Sequence, residues 1–219
     1  MSEKLWSDVD TYLEGVLIGD DKVLEATREA SRAAGLPDIA VSPTQGKLLY
    51  LMARMIGAKR ILEVGTIGGY SAIWLARALP VSGELITLEF DPKHADVARS
   101  NIKNAGLGDR VKVLTGAAID TLPTLSGSFD FSFIDADKKS NPDYFQWALK
   151  LSRRGGVIVV DNVIREGRVI ETGTNDANIE GIRRLNTMLA AEPRVSATAI
   201  QTVGIKGYDG LAIALVTAD

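Results

Sequence analysis

ILEVGTIGGYSAIWLARAL, residues 61–79, places a short apolar run, a glycine-rich turn and an apolar segment of helical length in succession. Four apolar-rich residues (61–64) are too few for a buried helix and suit a strand covered on both faces. Gly65, Gly68 and Gly69 suit a tight reversal whose backbone can approach a ligand, opening into a helix over about 70–80 whose N-terminal amides face the same spot. The same unit recurs downstream. Apolar runs at 85–90 (LITLEF), 111–114 (VKVL), 129–134 (FDFSFI) and 157–160 (VIVV) alternate with helix-length segments at about 92–105, 117–125 and 142–152. Such alternation builds βαβ units and an α/β fold with a mostly parallel sheet. Residues 195–203 and 211–217 are β-rich and flank Gly204-Ile205-Lys206-Gly207, which predicts an antiparallel hairpin and brings the sheet to seven strands.

Upstream, Leu5, Val9, Tyr12, Leu13 and Val16 follow a 3.6-residue period, as do Val23, Leu24, Thr27 and Ala30. Ser42-Pro43 starts a third helix, with Leu48, Leu49, Met52 and Ile56 on one face. The expected organisation is a single domain over 1–219, with an N-terminal helical cap (1–57) on an α/β core (58–219). The 219 residues are 46% hydrophobic and 24% charged, as in ordinary globular domains. Absence of Cys excludes disulfides, thiolate metal sites and a cysteine nucleophile, and a single His excludes a multi-histidine metal site. A net charge of -3 argues against a broad nucleic-acid footprint. Neither a membrane span nor a secretory signal is legible, so the expected location is cytoplasmic.

Ligands of open α/β sheets bind beyond the carboxyl ends of the strands. Those ends carry the Gly65-Thr66 turn, Glu89, Ala117-Ala118, Asp135-Ala136-Asp137-Lys138 and Asp161-Asn162. Glu89 lies about 20 residues beyond the glycine turn, where a carboxylate can accept ribose hydroxyls; a solvated strand-end acid is the plainer reading. Asp135, Asp161 and Asn162 would meet if the fourth and fifth strands are neighbours, about 4.8 Å apart. Oxygen ligands without His or Cys suit a hard cation such as Mg²⁺; the plainer reading is a turn and a helix cap. Lys138, three residues beyond Asp135, could accept a proton beside such a cation. His94 reads as a surface residue, Trp6, Trp74 and Trp147 as packing, Arg153-Arg154 as a charged helix end, and GTNDANIEG (173–181) as a mobile loop.

With these segments in view, the chain resembles the S-adenosylmethionine-dependent, cation-dependent O-methyltransferases of the caffeoyl-CoA and catechol types. The matching segments are VSPTQGKLL (41–49), 61–79 as quoted, LITLEFDP (85–92), FDFSFIDADK (129–138) and GGVIVVDNV (155–163). The resemblance implies a Rossmann-like sheet of order 3-2-1-4-5-7-6 with strand 7 antiparallel and helices on both faces. It assigns Val41, Glu63, Gly65, Thr66, Ser71, Glu89, Ala117, Ala118 and Asp135 to S-adenosylmethionine, Asp135, Asp161 and Asn162 to a divalent cation, and Lys138 to catalysis. The implied acceptor is a small catechol-like or vicinal-diol aromatic. Departures fall around that acceptor: Asn141 replaces a Tyr, Arg165 a Trp, and Val203 the Glu of catechol-type members. A homodimer is expected from Trp6 and Tyr12 on the first helix. The alternatives are a nicotinamide-dependent oxidoreductase, against which Ile67 and Tyr70 replace two glycines of G-x-G-x-x-G, a tRNA-modifying methyltransferase, and a non-catalytic binding module.

Overall fold

A computed structural model describes residues 2–218. Three helices come first: α1 (Glu3–Leu17), α2 (Lys22–Ala33) and α3 (Pro43–Met55). Then follow β1 (Arg60–Val64), α4 (Tyr70–Ala78), β2 (Glu84–Glu89), α5 (Pro92–Asn104), β3 (Val111–Thr115) and a one-turn α6 (Ala118–Thr121). The remainder is β4 (Phe129–Ile134), α7 (Asn141–Lys150), β5 (Ser152–Asp161), α8 (Ala177–Ala191), β6 (Val195–Gly204) and β7 (Gly207–Val216). The seven strands form one sheet of order β3-β2-β1-β4-β5-β7-β6. β1 to β5 run parallel, and β7 is antiparallel to both β5 and β6. Both the order and the antiparallel last strand are those the resemblance implies.

The pleat distributes the apolar residues to two cores. Ile61 faces the one that includes Leu49, Ile73 and Leu75, while its neighbour Leu62 faces the other, with Phe145, Ile158 and Ile182. Phe131 and Phe133 join the first core and Phe129 the second, although all three share a parity. A register irregularity between Phe129 and Phe131 in the β4–β5 pairing turns the strand over at that point. The residue between them, Asp130, accepts the amides of Lys59 (2.7 Å) and Arg60 (2.8 Å) and the Arg153 guanidinium. Burial works against that carboxylate, but these partners outweigh it and hold its pKa below the usual value.

Two expectations are corrected here. Arg153-Arg154 is not a helix end: α7 stops at Lys150, β5 begins at Ser152, and the Arg153 guanidinium donates to Asp130 of β4. The segment 173–181 is a loop only in its first half. Asp176 caps α8 by accepting the Asn178 amide (2.9 Å), so 177–181 is the helix's opening turn. The N-terminal helices are fixed by a close approach of α3 to α4: a Cβ on Gly46 would overlap the Trp74 indole. That contact sets the start of α3 beside the carboxyl ends of the strands.

Candidate active site

β1 lies between β2 and β4, where the strand order reverses, and such a switch point opens a crevice. Gly65 follows β1 with φ 96°, and a Cβ there would overlap the Asp135 carbonyl. Only glycine fits both conditions. Ile67 also adopts a left-handed conformation (φ 51°), which a β-branched residue tolerates only under constraint. The constraint is Glu89, whose Oε2 accepts the amides of Ile67 (2.7 Å) and Thr66 (3.1 Å) while Oε1 accepts that of Asp91 (2.9 Å). Ile67 thus takes up the conformation that glycine would supply in a dinucleotide turn. His94 is not a plain surface residue: its Nδ1 stands 3.7 Å from Glu89 Oε1 and its side chain is 23% exposed.

Beneath the turn, Glu63 is wholly buried and accepts the Thr87 hydroxyl at 2.6 Å. Burial pushes its carboxyl up to about 7, against the opposing pull of the Ser71 and Thr87 hydroxyls.

Across the switch point, β4 and β5 pair with Ile134 opposite Val160, so the next residues, Asp135 and Asp161, emerge side by side. Asp161 is 6% exposed; its Oδ1 accepts the Asn162 amide (2.7 Å) and its Oδ2 the Gln45 amide (2.6 Å). Burial first, and the Asp135 charge second, raise its pKa. Lys138 Nζ donates to Asp135 Oδ1 at 2.7 Å and is itself buried. The loop carrying these residues is fastened on both sides. Asp137 accepts the hydroxyls of Ser140 and Tyr144, each at 2.6 Å. On the other side Gly181 of α8 lies so close that a Cβ would overlap the Lys138 carbonyl. Two neighbouring carboxylates, one deeply buried, with a side-chain amide beside them form an oxygen donor set that fits a hard divalent cation; one lysine balances only part of their charge.

A cavity of about 1170 Å³ runs along this edge, lined by Glu89, Ala117 and Ala118 at one end, Asp135, Lys138, Asp161 and Asn162 in the middle, and Arg165, Val203 and Tyr208 at the other. A small recess of about 30 Å³ adjoins it, lined by Thr66 and Ser71 and sharing Val41, Gly65 and Asp135 with the main cavity. The sequence profile of the O-methyltransferase family matches residues 16–215. The chain belongs to that family. It is an S-adenosylmethionine-dependent O-methyltransferase, which removes the nicotinamide alternative. It is 56% identical over 210 residues, 95% of each chain, to a catechol O-methyltransferase of Mycobacterium tuberculosis. The O-methyltransferase of Bacillus cereus solved with SAH superposes with TM-score 0.97 at 55% identity, covering 99% of this chain and 100% of that one. The O-methyltransferase TomG of Streptomyces achromogenes, involved in tomaymycin synthesis and solved with SAM, superposes with TM-score 0.96 at 50% identity over the full length of both.

Of the residues assigned to the cofactor, the cation and catalysis, all line the cavity or its recess except Glu63, which lies under the turn. Of the three departures expected around the acceptor, Arg165 and Val203 line the cavity, but Asn141 does not: it is wholly buried at the start of α7. Four contributing side chains were not singled out. Gln45 reaches Asp161 from α3 across 116 residues of sequence. Asp209 accepts the amides of Ile164 (3.1 Å), Arg165 (2.8 Å) and Gly210 (2.9 Å), shaping the turn after β5. Asp10 of α1 accepts the Ile205 amide at 2.7 Å, and Lys206 donates to the Asp38 carbonyl at 3.0 Å, so the hairpin tip is clasped to the N-terminal helices. Gln45 lies in the matching segment 41–49 but was given no role there, and Asp209 and Asp10 are common residue types with no local motif around them. Among the described residues, no helix is long and apolar enough to cross a membrane.

Proposed function

We propose that the enzyme methylates one hydroxyl of a small catechol-like or vicinal-diol aromatic with the aid of a divalent cation, Mg²⁺. Asp135, Asp161 and Asn162 would hold the ion, and Lys138 would be the catalytic residue. The observation that carries this reading is the emergence of Asp135 and Asp161 side by side at adjacent strand ends, with Lys138 Nζ 2.7 Å from Asp135, in one cavity with the glycine turn. When bound, such a cation supplies Lewis acidity and a template for two adjacent oxygens. Lys138 in its amine form takes the proton of the acceptor's hydroxyl and becomes an ammonium, or as an ammonium it holds the oxyanion left once water has taken that proton; in either form Asp135 keeps its Nζ in place at the cavity. The methyl group passes from the sulfonium sulfur, which keeps the bonding pair, to the acceptor oxygen. Because the sulfonium is a good leaving group, the protein's contribution is orientation and exclusion of water.

On the donor side, Val41, Gly65, Thr66, Ser71, Glu89, Ala117, Ala118 and Asp135 would hold S-adenosylmethionine directly, with Glu89 on the ribose. The three amides on Glu89 leave room for one further hydrogen bond, because a carboxylate has about four acceptor sites. Glu63 acts from beneath by supporting the turn. The N-terminal helices (1–57) serve as a cap on the core (58–219). A homodimer is proposed through the face of α1, where Tyr12, Val16 and Leu17 are 67%, 61% and 66% exposed; a sedimentation mass of one chain at micromolar concentration rejects it. The name of the mycobacterial relative supports a catechol-like acceptor.

The test is turnover of a catechol and of its monohydroxyl counterpart, with chelator and after return of Mg²⁺. The expected result is methylation of the diol alone, abolished by EDTA and restored by Mg²⁺. Full activity in chelator overturns the cation, and equal methylation of the monohydroxyl compound overturns the vicinal-diol requirement.

A further inference from the structure

Lys138 lies against Asp135, at 2.7 Å, but no cationic side chain makes a salt bridge to Asp161 among the described residues. Yet Asp161 is buried, and the burial of an unpaired carboxylate is costly unless its oxygens are hydrogen-bonded. Both are: Oδ1 by the amide of Asn162 and Oδ2 by the side chain of Gln45, at 2.6 Å. Gln45 is well placed for this. It sits in the first turn of α3, its backbone amide donates to the capping Ser42 hydroxyl at 3.2 Å, and Gly46 locks the same turn against Trp74. The reach of the side chain is therefore fixed by the fold rather than by a flexible loop. A glutamine also differs from a lysine or arginine in one respect that matters here. It orients a carboxylate without neutralising it, leaving the negative charge available to a cation.

We infer that Gln45 is a positioning residue of the cation centre: its amide fixes the rotation of the Asp161 carboxylate so that the unused lone pairs serve the ion. This rests on the cation reading above. Partners that orient metal-binding side chains in this way typically contribute 10–100-fold to metal affinity.

Mn²⁺ serves as probe, titrated against the full-length protein and followed by electron paramagnetic resonance of the free ion, with no acceptor present. The proteins are wild type, Asp161→Ala, Gln45→Met, which keeps the length but lacks a donor, and Gln45→Asn, whose amide is one methylene too short. S-adenosylhomocysteine affinity is measured in parallel by calorimetry. The expected result is Mn²⁺ binding to wild type that Asp161→Ala abolishes and that both Gln45 variants weaken by about 10–100-fold, with S-adenosylhomocysteine affinity within about twofold of wild type. Mn²⁺ affinity unchanged in a folded Gln45 variant overturns the positioning role and leaves the cation reading standing. Equal losses of Mn²⁺ and S-adenosylhomocysteine affinity also overturn it, since they report a general loosening of α3. A wild type that binds no Mn²⁺ in an Asp161-dependent way overturns the cation reading and this inference together.

Discussion

At the β1–β2 end of the cavity, the groups that shape the wall are fastened within two consecutive βα turns: Glu89 to Thr66, Ile67 and Asp91, and Thr87 to Glu63. At the β5–β7 end, the wall is assembled from chain segments far apart: Asp10 to Ile205, Asp38 to Lys206, Gln45 to Asp161, and Asp209 to the turn after β5. The first end is a local structure that strand and turn geometry dictate. The second exists only when the two ends of the sequence come together. The part of the proposed donor site built on Gly65, Thr66 and Glu89 needs only the former; an acceptor site can be rebuilt from the latter without disturbing it.

The comparison can be broken most directly at its centre. Lys138→Ala is expected to lower kcat by about 10²–10⁴-fold, the range of general acid–base contributions, with S-adenosylhomocysteine affinity unchanged. A comparable loss of affinity would mean that the two ends are not separable. Gly65→Ala tests the local end. It demands φ 96° of an alanine and drives a methyl into the Asp135 carbonyl, so urea denaturation should show a loss of about 3 kcal/mol; a loss below about 1 kcal/mol would show that the turn can yield.

Glu63 gives a pH signature of the same end. Its folded-state pKa is raised from 4.5 to about 7, so the folded protein holds this proton more tightly than the unfolded chain. The contribution to stability is fully present below pH 4.5 and is lost as the pH rises through about 7, a change on the order of 3 kcal/mol. Urea midpoints at pH 5 and 8 should fall further for the wild type than for Glu63→Gln, in which that proton is gone. Identical pH dependence in the two proteins would remove Glu63 from the account. The smallest effect is expected at Ile67. Its left-handed conformation is strained for isoleucine and free for glycine, while glycine adds disorder to the unfolded chain, so Ile67→Gly should change stability by less than about 1 kcal/mol. A larger loss would show that the side chain, rather than the turn, matters there.

The same division explains what could be read from the sequence. The strands, the glycine turn and the carboxylates at strand ends were legible because apolar runs and the residues directly after them fix position in a parallel sheet. Ile67 looked like a departure from a glycine pattern, since nothing local reveals that Glu89 holds its backbone. His94 looked exposed because its neighbour is set by the β2–α5 turn rather than by helical period. Start of α8 was hidden by Gly173, Asn175 and Asp176, which read as loop although Asp176 is the cap. Gln45 lies in a recognisable segment that does not reveal its partner, and Asp10 carries no motif; their roles arise from contacts across 116 and 195 residues of sequence.

The clasp between Asp10 and the hairpin tip has a consequence for how the molecule comes into being. A ribosome delivers residue 10 long before residue 205, so the acceptor wall must wait for the hairpin, whereas the glycine turn and the two carboxylates belong to chain made earlier. Of the two sides of the cavity, the acceptor's is therefore the one that translation finishes last.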